Sequence, residues 1–307
     1  MIENTSSLQH KIESASELQA VVRTMKAMAA ANISQFEQSV RSLSDYYSTV
    51  ELGLGVCLRA IHSELLVHRD QQPTEPDVIH AVVFGSDLGL VGRFNETIAD
   101  YAIQTLATFP APPEISTVGS RVHTRLADEG LPLGSLFTVP NSVKAITPLV
   151  GQILLQNAVH QNEGENIELH LFYNRPIPGA LYIPVSQRLL PLDIEWQVSL
   201  TKHSWPTKYL PEVVENRNTG SSCRDNGDSN DSTTLRSLIG EYLFVSLFRA
   251  CTESLASENA SRLAAMQRAE KNIDDLIEEL NVRYNGVRQS SIDEELFDVI
   301  AGFEAMK

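Results

Sequence analysis

The chain has 307 residues, 42% of them apolar, and a formal net charge of −15. That apolar content supports a packed core and excludes wholesale disorder, while the acidic balance disfavours nucleic acid and anionic lipid as partners and is read as a solubility feature. No apolar run is long enough to span a bilayer, and the opening MIENTSSLQHKIESA has neither the apolar core of a secretion signal nor the arginines of an import sequence.

All fourteen prolines lie between Pro73 and Pro211. Proline interrupts a helix interior, so the two proline-free arms predict a long helix at each end with a compact domain between them. The first arm carries a seven-residue repeat: Leu8, Ala15, Val22, Ala29, Phe36, Leu43, Val50 and Cys57 are all apolar or small. Four residues after each come Ile12, Gln19, Lys26, Ile33, Val40, Tyr47, Leu54 and Ile61. That second row fails at Gln19 and Lys26, where Leu18 and Met25 stand one place earlier and offer substitutes. Such a period predicts a left-handed coiled coil. Residues 27–31, Ala-Met-Ala-Ala-Ala, make a thin, strongly helix-forming stretch, and Gly53 and Gly55 are expected to weaken the helix.

The pattern changes at Val78. Val78–Phe84 reads as a buried strand, followed by the turn-rich GSDLGLVGRFN of residues 85–95 and a helix over Glu96 to Ala107. Further strands are expected at Ile115–Val118, Leu136–Thr138, Ile167–Tyr173 and from Tyr182, with a helix from Ser142 to His160. Alternation of strands and helices predicts an α/β domain with a mainly parallel sheet. The glycines at 85, 89 and 92 spell neither the dinucleotide nor the P-loop fingerprint. Asp87 would repel a phosphate, and the turn is expected to tighten strand-to-helix packing. No nucleophile motif or metal-ligand spacing is present, and His62, His68, His80, His123, His160, His170 and His203 are scattered. The expectation is therefore no catalytic residue, no metal, no cofactor and no small-molecule ligand. Cys57, Cys223 and Cys251 form no paired spacing and read as reduced thiols.

Residues 215–234, ENRNTGSSCRDNGDSNDSTT, read as a flexible loop. The second arm follows, with an apolar stripe of Leu235, Leu238, Tyr242, Val245, Phe248, Leu255, Leu263, Met266, Ile273, Leu276, Leu280, Tyr284 and Val287. Glu253, Glu258, Arg262, Arg268, Glu278 and Glu279 are assigned to the opposite, solvated faces. Each stripe needs a partner, and the simplest is the other arm. The organisation expected is 1–72 helix, 73–214 α/β domain, 215–234 loop and 235–307 helix. A stand-alone coiled-coil scaffold with an α/β cap would satisfy these patterns.

Ordered blocks of sequence say more. HKIESASELQAVVRTMKAMAAANISQ (10–35) resembles the N-terminal helix of the gamma subunit of F-type ATP synthases. GSDLGLVGRFN (85–95) is similar to that family's Ser-Asp-Arg-Gly-Leu-Cys-Gly-Gly-Phe-Asn. The strongest match is in 241–305, with ESLASE, ASRLAAM, YNGVRQ and a terminal Ile-Ala-Gly. The resemblance implies an antiparallel coiled coil of the terminal helices with a Rossmann-like domain at its base. It implies a rotor shaft without catalytic residues, set inside a hexamer of alpha and beta subunits. The base would meet the epsilon subunit and the membrane c-ring, peripheral to the cytoplasmic face of the inner membrane. Rotation would couple ATP chemistry to the movement of protons, or of sodium in some branches. By position, Arg23, Met25 and Lys26 match the basic-Met segment that faces an acidic lever of the beta subunit. Glu258 and Arg262 fall in the LASE-x-x-Ala-Arg stretch, and Arg288 and Gln289 match the pair that hydrogen-bonds the beta-subunit catch loop. Leu88, Val91 and Arg93, and in the first helix Glu17, Leu18 and Ala20, depart from the usual pattern and point to a divergent branch.

Overall fold

In the computed structural model, residues 4–65, 78–162, 167–203, 205–207 and 230–304 are described, without side chains for 60–65, 158–162, 230–233 and 303–304. Helix α1 covers Thr5–Leu65 and the last helix, α6, covers Asn230–Glu304. Cys223 and most of the loop expected over 215–234 lie outside the described residues, and α6 already begins at Asn230. His68, and the side chains of His62 and His160, also lie outside them.

Contacts divide the chain into two units, one of Met1–Ala31 with Asn259–Lys307 and one of Asn32–Glu258. The first is a helix pair. Leu8, Ala15, Val22 and Ala29, one row of the seven-residue repeat, are buried, and so are Met266, Ile273 and Leu280 of α6, themselves seven apart. Val22, Met266 and Ile273 form the core, with Met25 and Ala269 packed against it. Rising numbers in α1 meet falling numbers in α6, as Gln19 with Asp274 and Arg23 with Glu270 show, so the pair is antiparallel. Matching seven-residue rows are what knobs-into-holes packing requires.

The second unit holds a five-stranded sheet in the order β3-β2-β1-β4-β5. Its strands are β1 (Val78–Phe84), β2 (Glu114–Val118), β3 (Leu133–Phe137), β4 (Ile167–Ile177) and β5 (Ala180–Leu190). Strands β1 to β4 run parallel where they pair, while β5 runs antiparallel to β4. The helices between them are α2 (Phe94–Leu106), α3 (Ser120–Asp128), α4 (Val143–Asn162) and α5 (Ile194–Lys202). Helices α3 and α5 have no counterpart in the sequence reading: they are nine residues each, too short for periodicity to stand out.

Strand side chains alternate between faces. On one face Ala81, Val83, Ile115 and Phe172 pack against Ile98, Ala99 and Ala102 of α2 and Val122 and Leu126 of α3. On the other, Val82, Phe84, Leu169, Leu171 and Tyr173 pack against Ile146, Val150 and Ile153 of α4, Val50 and Leu54 of α1, and Leu247 and Cys251 of α6. Within this unit α1 and α6 are again antiparallel, since the Tyr46 hydroxyl donates to Glu241 at 2.7 Å and Gly53 lies beside Leu238. Gly55 has a specific reason. A Cβ there would stand 2.7 Å from the Leu200 carbonyl oxygen of α5, so the residue expected to weaken α1 is the one that lets α5 approach it.

Candidate functional site

The turn after β1 was the one place where a phosphate site was conceivable, and its polar groups are taken up by the protein itself. One Asp87 carboxylate oxygen accepts from the Ser120 amide at 2.8 Å, the first turn of α3. The other accepts from the Val139 amide at 2.8 Å, in the segment after β3. A carboxylate at a helix N-terminus fills the position an anion would take. The Ser86 amide donates to Asn95 Oδ1 at 2.9 Å, Asn95 Nδ2 donates to Ser86 Oγ at 2.9 Å, and Ser86 Oγ donates to the Leu88 carbonyl. Gly119, with φ of 111°, brings its Cα so close that a Cβ would sit 2.8 Å from the Ser86 amide nitrogen. The turn therefore ties together the segments that follow β1, β2 and β3. Among the described residues no group of three metal-ligating side chains exists.

The residues singled out from the sequence fall into two environments. In the helix-pair unit, Arg23 Nε donates to Glu270 Oε1 at 2.9 Å and Lys26 Nζ donates to Oε2 of the same carboxylate. The Lys26 hydrogen bond, then that of Arg23, holds the Glu270 carboxyl below the usual range. Arg23 is 57% exposed, Lys26 35% and Glu270 17%. Met25 is half-buried against the Val22 core, and Arg262 is half-buried. Arg288 and Gln289 are exposed. The substitutes expected for the failing row behave differently. Leu18 is 54% exposed, and Gln19 and Lys26 keep their seam positions by bonding Asp274 and Glu270. A polar seam position is tolerable when its partner stands opposite.

In the sheet-bearing unit, two assignments are corrected. Glu253 and Glu258, assigned to solvated faces, are 4% and 5% exposed. Glu253 is held between two arginines: Arg249 Nε donates to it at 2.7 Å and Arg175 Nε at 3.2 Å, while Arg175 also donates to the Tyr173 hydroxyl at 2.7 Å. Burial, then the Glu253 charge, pushes the Tyr173 hydroxyl upward. Burial, with Glu258 adding to it, likewise pushes the Cys251 thiol up and keeps it protonated. Ser257 Oγ, also buried, donates to the Asn174 carbonyl of β4 at 2.9 Å.

Three features were not picked out from the sequence. Glu270, which receives both cations, has no motif of its own. Glu253 was placed on the wrong face because a helical stripe indicates one partner surface, whereas here several elements cover α6. The third feature is the far end of α6, where Ile292, Leu296, Phe297, Val299 and Ile300 are 47–69% exposed. Ile292, Leu296 and Ile300 stand four apart and Leu296 and Val299 three apart, a spacing that was available as a signal past Val287.

These features can be set beside known proteins. The family described as ATP synthase matches residues 4–306. An ATP synthase gamma chain of Anaeromyxobacter sp. (strain Fw109-5) is 25% identical over 304 residues, covering 98% of both chains. One of Glaesserella parasuis serovar 5 (strain SH0165) is 26% identical over 304 residues, covering 96% of this chain and 97% of the relative. The chain belongs to the ATP synthase gamma family. As a gamma-family member it is a central-stalk subunit of a rotary F-type ATP synthase. Among solved structures, the rotor of the Euglena gracilis mitochondrial ATP synthase aligns with TM-score 0.56 and 16% identity, over 94% of this chain and 98% of that one. The central stalk and c-ring structure of the Tetrahymena thermophila mitochondrial enzyme aligns with TM-score 0.53 and 21% identity, over 81% and 99%. Both likenesses concern the fold, and both agree with a gamma-family chain of two long terminal helices and a five-stranded sheet. Among the described residues no helix is long and apolar enough to cross a membrane.

Proposed function

We propose that this gamma-family chain carries no chemistry of its own and acts as the shaft that couples ATP turnover in a surrounding alpha/beta hexamer to ion flow by rotating within it. The observation that carries this reading is the change along α6. The helix keeps a buried row as far as Leu280, is half-buried at Tyr284 and Val287, and is exposed throughout residues 288–302. A helix end displaying Ile292, Leu296, Phe297, Val299 and Ile300 needs a surface around it, and an encircling hexamer supplies one. The sheet-bearing unit is the part assigned to the epsilon subunit and the c-ring, with the whole chain peripheral at the cytoplasmic face of the inner membrane and protons, or sodium, as the coupled ion.

The contact residues follow from exposure. Arg288 and Gln289 are free to reach a catch loop of the beta subunit. Arg23, with Lys26, faces its acidic lever, and Met25 supports them from the core side. Arg262 is a half-buried contact at the start of the paired segment, and Glu258, being buried, supports the helix from inside. Exposed charge pairs are worth about 0.2–1 kcal/mol each, small enough to break and re-form at every step against three equivalent partners.

The test is co-expression with alpha and beta chains of the same source, followed by purification and an ATPase assay. A complex of three alpha, three beta and one copy of this chain, with turnover that depends on it, is the expected result. Within that complex Arg288→Ala with Gln289→Ala should lower turnover while helicity is kept. An unchanged rate would remove both residues from the contact set, and failure to assemble would favour the scaffold reading.

A further inference from the structure

Glu270 binds its two cations in different ways, and the difference has a consequence for the contact assigned to Arg23. Arg23 reaches the carboxylate through Nε, at 2.9 Å. The guanidinium is planar, with four N–H donors on its two Nη groups, two of which, one from each, form an edge away from Nε. Arg23 remains 57% exposed while Glu270 is 17% exposed. The second carboxylate oxygen is taken by Lys26. Two cations on one anion leave the cluster with one positive charge, on a chain whose net charge is −15.

We propose that Glu270 is a positioning residue. It anchors Arg23 by Nε so that the Nη edge is displayed as a docking point for a carboxylate of a partner subunit. Lys26 cancels the Glu270 charge, so the anchor does not repel the incoming anion. Arginine loses less freedom on binding when its plane is already fixed, and an end-on pair of N–H groups matches a carboxylate. This rests on the reading above that Arg23 meets an acidic element. It adds the residue that sets the orientation of that contact.

The experiment is a double-mutant cycle in the assembled complex of the full chain with its alpha and beta partners, reading ATPase turnover and its salt dependence. Arg23→Ala should lower turnover by about threefold at low salt, the size expected of an exposed charge contact, and should flatten the salt dependence. Glu270→Gln should do nearly the same with wild-type Arg23 and nothing further in the Arg23→Ala background. Circular dichroism of each variant checks that the helices persist. If Glu270→Gln causes the same loss in both backgrounds, its role is in the helix pair alone and the positioning inference is overturned, with Arg23 still a contact. If Arg23→Ala assembles normally and changes nothing, the contact reading fails first.

Discussion

Helix α6 passes through three environments, and its enclosed and paired stretches are built differently. From Tyr242 to Asn259 nearly every residue is buried, Phe244 and Arg249 being the exceptions, and Ser246, Thr252, Ser254 and Ser257 are buried along with the apolar residues. From Met266 to Leu280 burial falls back to Met266, Ile273 and Leu280. After Val287 every described side chain is exposed. A helix facing one partner needs one apolar stripe. A helix enclosed by a sheet and other helices needs small side chains and satisfied polar groups on every face. The serines, threonine and alanines of the enclosed stretch fit the second condition, and the seven-residue row of the paired stretch fits the first.

The largest effect that sharpens this comparison is Leu247→Ala, at a side chain with no exposure. It should destabilise the sheet-bearing unit by about 3 kcal/mol, read as a fall in its denaturant midpoint. A cost no greater than that of Ile273→Ala in the helix pair would break the contrast. Next is Glu253→Ala, which removes the carboxylate between Arg175 and Arg249. Because both arginines are partly solvated, a loss of about 2 kcal/mol is expected, below the range for fully buried pairs. A neutral result would mean that the cluster adds nothing beyond its packing.

In the helix pair the effects are smaller and depend on pH. The Glu270 carboxyl is held below its ordinary value in the folded chain by Lys26 and then Arg23. Its contribution is therefore present above the ordinary carboxylate range and is lost as pH falls through the lowered folded value. Thermal melting of the helix pair should weaken on acidification, and Glu270→Gln should remove part of that acid response. An unaltered acid profile would show that the cluster does not stabilise the pair. Last, Gly286 has nothing within 4 Å of a Cβ built on it. Gly286→Ala should stabilise the exposed end by about 0.5–1 kcal/mol, seen as more helix by circular dichroism, and a loss of helix would mean that this end is not helical in solution.

Much of the fold was legible because it is written in local patterns. The proline distribution and the row from Leu8 to Val50 marked the helical arms, and the apolar run Val78–Phe84 marked the central strand. At the turn of 85–95 the sequence offered an acidic residue, Asp87, and the structure gives that carboxylate to the Ser120 and Val139 amides. The assignment of Arg288 and Gln289 as contacts came from resemblance, and both are exposed. Cys251 could be counted but not placed, because a thiol has the same letter on a surface and in a core.

By itself the sequence determined the periodic and interrupted parts: which stretches are helical, where the sheet begins, and the family that the ordered blocks mark. Those properties depend on neighbours along the chain. Tertiary structure alone decided that Glu253 is buried between Arg175 and Arg249, that Gln19 and Lys26 hold their seam positions through Asp274 and Glu270, that β5 turns back against β4, and that Gly55 admits Leu200. In each case the free energy of the group is set by an element far away in sequence, which either supplies its partner or removes its water.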